Sequence, residues 1–525
     1  MSKSRPAILD SSGKPFPAAS RRREMADMGR GRRPRIRGSY DAAQDLQDTS
    51  NHWASADSHD ADSANSRAVR AKLVPRARYE IQNNGYSDGI ATTYADDLVG
   101  IGPQLRMQTS SDAFNRLVEQ QWFLWTKAVQ FRRKLWCAAH AKHSDGESIG
   151  VIRRNPGVTH PVPLDWCLYE TEQCQTPFLP FGERGYIDGI KFDQFGNAVW
   201  YDILEEHPGS NHRANYNLTP ERVPAEFVTH WFKLRRPGQH RGIPETTSTL
   251  NLGAASRRWR ESTLAHAEMI AKLTVLLKSL MEPAAEDADP VTAMSQLELL
   301  AGTMIALPNT VEPVQLDAKQ PAATYSMFHK ALVNEQARPK SMPYNKAACD
   351  SSEYNYASGR LDHQTYNKTL DVERADCDEL VLDKVFAQWF MFAVRRFQWL
   401  GGEPTSLANV MRLHAWDWPK HGVVDIEAEA NANQTKLQSG QVFLHAIYTD
   451  AGQDFEDELE KAAISYGVTP DVLRKRLLDV ILPPVQQAAP PPAPKSPTNG
   501  DAAVDGFAAT LRCNGHANGV HVNGG

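Results

Sequence analysis

Nothing in these 525 residues carries the usual signatures of nucleotide, acyl or metal chemistry. The phosphate-cradling GxxxxGK[ST] loop is missing, and the one Gly-Lys pair, Gly13-Lys14, runs into proline, which removes an ATP-driven motor. GxSxG, HExxH and a GxGxxG after a strand are missing too, so no catalytic residue, metal ligand or cofactor is assigned. Cysteine is scarce: six, at 137, 167, 174, 349, 377 and 513, with no CxxC spacing, so free thiols in a reducing compartment are expected. Long apolar runs are lacking as well. The run Leu273–Leu277 is cut by Lys278, and the arginine-rich start has no apolar segment behind it, so neither a membrane span nor a signal peptide is expected. A formal net charge of -5 excludes a globally basic nucleic-acid binder, though not a basic patch.

What is present is helix, a β-rich middle and two polar tails. Residues 1–38 crowd Arg21, Arg22, Arg23, Arg30, Arg32, Arg33, Arg35 and Arg37 together, a disordered arm that is either solvated or a nonspecific phosphate contact. Residues 40–102 read as polar helix anchored by Trp53, Tyr79, Ile81 and Ile90, and Gly100-Ile101-Gly102-Pro103 stops it before a strand at 104–108. A second helical run covers 111–143, with His140 and His143 near its end read as surface decoration. Residues 147–235 alternate like strands, with YIDGIKFD and AVWYDI forming a hairpin around QFGN; Asp188, Asp193 and Asn197 lack EF-hand spacing and read as a turn. Further on, a helix near 292–301, short strands at 304–307 and 311–316, and a helix over 323–338 are expected. Residues 360–399 form the most apolar helix, with Trp389, Phe390, Phe392, Phe397 and Trp399 as core or subunit interface. An acidic stretch with two short helices follows at 425–467, and beyond Pro483 the chain cannot build a core.

The most informative stretch is AEFVTHWFKLRRPGQHRGIP, residues 225–244. A strand runs into a double arginine and a Pro-Gly turn, and Pro244 is placed to open a helix. Periodic apolar positions carry that helix from Pro244 to about Leu280, about 55 Å at 1.5 Å per residue. Arg235, Arg236, His240 and Arg241 face either DNA or a neighbouring subunit, or else form a charged turn that positions the joint. On the helix, Arg257, Arg258 and Arg260 either line a channel or lie on a solvated or subunit-contacting face, with Glu261 a local partner for Arg257 and Glu268 for Lys272. Tyr354, Tyr356 and Arg360, in the loop YNYASGR, either cap the following helix or reach a channel or a neighbouring subunit.

Over residues 40–470 the order and spacing of several segments resemble lambda-type tailed-phage portal proteins. The segments are the polar helical stretch from Tyr40, ADDLVGIGPQL, LDWCLYETEQC, DGIKFDQFGNAVWYDI, FVTHWFKLRRPGQHRGIP, MPYNKAACDSSEYNYASGRLDHQTY and HGVVDIEAEANANQTKLQSG. Lys346 and Cys349 depart from the family's smaller or more polar residues, and the end beyond Pro483 has no counterpart.

The resemblance implies an α+β, mainly helical portal fold with wing, β-containing clip, helical stem and helical crown, assembled as a ring, usually a dodecamer. By order along the chain, a disordered basic arm takes 1–38, the N-terminal wing region 39–171 and the clip 172–235. Joint and stem take 236–280, a tunnel-loop region with wing strands 281–320, wing and crown helices 321–483, and a disordered tail 484–525. The implied role is a head-tail connector at one capsid vertex, through which double-stranded DNA is packaged and ejected. Implied partners are further copies of the chain, that DNA, the terminase large subunit, major capsid and scaffold proteins, and neck or head-completion proteins, with no membrane; the place is the virion, after assembly in a bacterial cytoplasm. The competing readings are another capsid-associated structural protein, such as a minor head or scaffold protein, and a nucleic-acid enzyme assembled from distant residues.

Overall fold

The computed structural model describes residues 53–176, 185–211, 219–272, 276–279, 311–314, 325–352, 354–397, 410–422, 426–450 and 455–481. The arm 1–38, the 281–300 region with its expected helix, the strand at 304–307, Trp399 and the tail 484–525 lie outside these residues. Two compact units divide the chain, Met1–His421 and Gly422–Gly525. The described fold is mixed α and β, mainly helical, and all its strand pairings are antiparallel.

The first unit begins with α1 (Ala61–Ala64), α2 (Arg67–Asn83) and α3 (Gly85–Val99). Asn84 separates the last two, its extended backbone ending α2 and its side-chain oxygen accepting from the Tyr86 N–H to cap α3. Gly100, at φ 52°, ends α3 where the glycines predict a stop, and β1 (Gln104–Met107) follows. Ile81 and Ile90 are buried as expected, but Trp53 and Tyr79 are more than half exposed and anchor nothing in the apolar core.

The expected single helix over 111–143 is two, α4 (Asp112–Ala128) and α5 (Phe131–Asp145). Gln130 takes a left-handed φ of 55° between them. That turn folds Phe131 back on Trp125, with ring centroids 5.9 Å apart. The strands β2 (Glu147–Arg154) and β3 (Leu164–Tyr169) come next.

The expected hairpin at 186–203 is a meander of three strands, β4 (Tyr186–Ile187), β5 (Ile190–Phe192) and β6 (Ala198–Ile203). YIDGIKFD is not one strand because Asp188-Gly189, at φ 42° and 88°, makes its own two-residue turn. The QFGN turn is present: the Asp193 carboxylate accepts from the N–H groups of Phe195 and Asn197. With β7 (Glu221–Pro224) these strands form a sheet in the order β4-β5-β6-β7, and β8 (Val228–Phe232) joins a second sheet, β3-β2-β8.

The long helix, α6, spans Leu250–Lys272, shorter than the expected 244–280. Its start is delayed by a threonine run: the Thr247 and Thr249 hydroxyls donate back to the carbonyls of Pro244 and Thr246, holding 245–249 in successive turns. At the far end, Leu276–Ser279 is a strand, β9, paired with β10 (Val311–Val314). Residues 273–275 and 280 lie outside the described residues, and the strand at 276–279 replaces the expected helix there.

After β10 come α7 (Tyr325–Ala337), α8 (Tyr344–Ala348), α9 (Tyr356–Cys377) and α10 (Asp383–Arg396). A π-helical turn, Asp378–Leu382, joins α9 to α10. The strand β11 (His414–Asp417) pairs with β1. The aromatic stripe is core: Trp389 and Phe390 are buried among Trp122, Trp125 and Phe386.

The second unit holds α11 (Ile426–Gln438), α12 (Leu444–Asp450), α13 (Phe455–Tyr466) and α14 (Pro470–Ile481). Leu459 and Ala463, one turn apart on α13, are its buried apolar residues among those described.

Candidate functional site

The joint between β8 and α6 crosses the corner where α5 turns into β2, and glycine is what lets it cross. A Cβ on Gly242 would fall 2.2 Å from the Gly146 carbonyl oxygen, so backbone packs on backbone there. Gln239 shapes the loop before the crossing: its Oε1 accepts from the N–H groups of Arg235 and Arg236, and its Nε2 donates to the Arg241 carbonyl. Asn65, from the end of α1, donates to the carbonyls of Arg241 and Gly242 at 3.1 and 3.0 Å.

Arg241 does not lie on a surface. It is 2% exposed, and its guanidinium is spent within the subunit. Nε bonds both Glu147 oxygens at 3.0 Å, Nη2 reaches Glu147 and the Thr171 carbonyl, and Nη1 reaches the Cys174 carbonyl. Glu147 also accepts from the Gly242 N–H at 2.7 Å and from His230 Nε2 at 3.0 Å. Although burial alone would raise it, the Arg241 charge and the His230 hydrogen bond hold the Glu147 carboxyl well below the usual range. His230 is itself lowered by burial, so a neutral imidazole donates here, with Nδ1 facing the Tyr201 hydroxyl. Asp188, in the β4-β5 turn, pairs with Arg70 of α2, which ties the four-stranded sheet to the same cluster.

Four residues further on, Glu245 enters a second buried ion network. It contacts Lys142 of α5 at 3.0 Å and also Lys340, while Glu373 of α9 takes Lys142 and, at 3.2 Å, Lys233. Lys142 and Glu245 are 0% exposed, Lys340 1% and Glu373 2%. Opposite charges at contact hold both carboxyls below their usual range and raise Lys142. Burial and the neighbouring Lys142 lower Lys340 to about 8; its ammonium lies 3.4 Å from the centroid of the Tyr94 ring. The joint is therefore clamped on both sides of Gly242, to the sheets through Arg241 and to the helices through Glu245.

The remaining candidates divide clearly. Arg235 and Arg236 are exposed, though one Arg236 nitrogen donates to the His59 carbonyl. His240 is half-buried, held by Asp62 through its N–H and through Nδ1 at 2.7 Å. Arg257 pairs with Glu80 of α2 at 3.3 Å and lies over the Tyr79 ring, so its salt bridge crosses to the packed helix, and Glu261 adds a weaker attraction along α6. Gly253, one turn earlier on α6, leaves room for the Glu80 side chain. Arg260 donates to Asn84 at 2.7 Å and lies over Tyr86. Arg258, between them, is exposed. The Lys272 side chain lies outside the described residues, so its pairing with Glu268 does too.

Asn355 caps α9 through the Ser358 N–H, Tyr354 is partly buried against Gly359, and Arg360 is exposed. Tyr356 starts the helix, and its side chain is outside the described set. The surface reading of His143 is overturned: it is fully buried, and desolvation lowers it to about 3. His140 is half-buried and stacks on Trp136. One group of described residues, Glu170, Glu172 and His207, has metal-ligand spacing. The Arg78 guanidinium already binds both Glu172 oxygens at 3.0 Å and Glu170 at 3.1 Å.

Set beside known proteins, residues 47–374, which include the joint and all of α6, match the family described as phage portal protein, lambda family. The chain belongs to that family. It is 24% identical over 429 residues to a probable portal protein of Halomonas phage phiHAP-1, an alignment covering 73% of this chain and 78% of the relative. Among solved structures it is similar to a chain in the virion of a native gene transfer agent particle (TM-score 0.39, 12% identity, 76% of this chain and 94% of the other). A chain in the neck of the empty particle gives a TM-score of 0.40 at 10% identity, with 76% and 94% covered. Among the described residues no helix is long and apolar enough to cross a membrane.

Proposed function

We propose that this chain is the subunit of a ring at one capsid vertex, a head-tail connector through which double-stranded DNA enters and leaves the capsid. It acts as a conduit and docking platform without catalysing a reaction, in the virion and bound to terminase, capsid and neck proteins at successive stages. The family match across residues 47–374 carries this reading. The joint supports it mechanically. A helix of 23 residues, about 34 Å long, leaves a corner clamped by two buried ion networks. Such a lever is suited to holding a fixed pose against a moving polymer.

Wing, clip, stem and crown are assigned in this reading to 39–171, 172–235, 236–280 and the helices after 321. The stem is then α6, with Arg258 as its outward cation and Arg235 and Arg236 at its foot. Electron microscopy of the purified chain tests the reading: rings with an axial hole are expected, and a monomer across a wide range of salt and concentration would overturn it. Charge reversal at Arg235, Arg236 and Arg258 together is expected to leave rings intact and lower packaged DNA, because added negative charge repeated around a ring repels phosphates.

A further inference from the structure

Five elements meet at the first turn of α6: α2, α3, α5, α7 and the threonine run itself. Between them lies a cavity of about 20 Å³. That is room for one water molecule, which needs about 10–15 Å³ on the same measure. Ala77, Ile81, Ile90 and Leu250 give it apolar walls, and His143, Thr246 and Gln336 bring polar atoms. Both ring nitrogens of His143, the Thr246 hydroxyl and Gln336 Oε1 are buried and have no hydrogen-bond partner among the described residues. We propose that this cavity is a binding site for a single structural water that bridges His143 of α5, Thr246 at the base of α6 and Gln336 of α7.

The chemistry of the lining selects a neutral, two-way hydrogen-bonding ligand. A neutral imidazole has one N–H to give and one lone pair to offer, the threonine hydroxyl does both, and the glutamine oxygen only accepts. One water can serve one ring nitrogen, the hydroxyl and the amide oxygen together, since it gives two protons and accepts two. A bare cation would call for negative charge in the lining. The one carboxylate in the lining, Glu80, is already engaged by Asn84 Nδ2 at 2.8 Å and by Arg257 at 3.3 Å. Leaving these buried groups unpaired is costly, whereas a bridging water is nearly as good as a direct bond. The consequence is local. Glu245 fixes the joint through charges, while the very next residue seats the helix on an exchangeable molecule.

Two measurements test this on the full chain. Density maps resolving ordered solvent are expected to show one peak within about 3.2 Å of at least two of the three side chains. The proposal is overturned if the three side chains hold these positions with no peak, or if they pair with one another. Contacts of about 2.3–2.6 Å on the peak would also overturn it, by identifying a metal cation. Thr246→Val, which keeps the shape and removes one partner, is expected to lower Tm by several degrees. An unchanged or raised Tm sinks the proposal.

Discussion

Gly146 and Gly242 stand backbone against backbone. A Cβ on Gly146 would lie 2.2 Å from the Ile243 carbonyl carbon, and one on Gly242 as close to the Gly146 oxygen. Neither position can yield by moving a flexible side chain, because the nearest atoms each would meet are main chain. Gly242→Ala is therefore expected to cost about 1–3 kcal/mol or more and to displace the start of α6. Denaturant unfolding of the variant checks the first, and a structure the second.

Removing the Arg241 charge leaves Glu147 buried without its cation. Arg241→Ala is expected to destabilise the chain by about 3–5 kcal/mol. Arg241→Met with Glu147→Gln, which removes both charges, should recover part of that loss. A double variant no better than the single one would show that the pair matters through its hydrogen bonds to Thr171 and Cys174 rather than through charge.

Acid should weaken the fold through three carboxyls at once. Glu147, Glu245 and Glu373 are all held below their ordinary value of 4.5. Groups with lowered folded values stabilise above that pH, and the contribution is lost as pH falls toward their folded values. Tm is expected to begin falling below about pH 6.5, where His143 is protonated only in the unfolded chain, and to drop more steeply below about pH 4.5. Glu373→Gln should shallow that drop.

Asp378 has the opposite sign. Burial, with Asp383 nearby, raises it to about 7, although Trp418 Nε1 donates to it at 2.8 Å. A carboxyl raised on folding loses stability as pH climbs from its unfolded to its folded value. Asp378→Asn, which keeps an acceptor for Trp418, should raise Tm at about pH 8 and leave it nearly unchanged at about pH 4. Equal effects at both values would rule out a titration.

The three arginines of α6 should separate in a stability assay. Arg257→Ala and Arg260→Ala are each expected to cost about 1 kcal/mol, since each loses a polar partner and a ring face. Arg258→Glu, on the exposed side, should stay within about 0.5 kcal/mol. A large loss for Arg258→Glu would show a partner for it that α6 does not display within this chain.

Where the chain bends was legible when one residue type dictates the bend, as Gly100 does after α3 or Pro237-Gly238 after β8. The Asp188-Gly189 turn carried an equally plain signal, and the alternating apolar residues around it drew the reading toward one strand. The basic joint itself was legible, but its chemistry was not. Arg241 looks like its neighbours Arg235 and Arg236 in sequence, and only the distant Glu147 makes it a core residue. The second network draws Lys142, Glu245, Lys340 and Glu373 from four separate segments, with no spacing that links them. Buried charge is a property of what the rest of the chain brings to it, and local periodicity says nothing about that.

The π turn at Asp378–Leu382 has a geometric consequence for the whole of α9 and α10. At about 100° per residue, an unbroken α-helix would carry Ala393 to the side opposite Tyr366. Both are buried in the same core. The wider turn absorbs one residue and rewinds the helix by about that angle, a phase correction that keeps one face inward along its length. Deleting a single residue there would leave a regular α-helix with Phe386, Trp389 and Phe390 still facing Trp122, whereas deleting one from the regular turns of α9 would swing them away by about 100°.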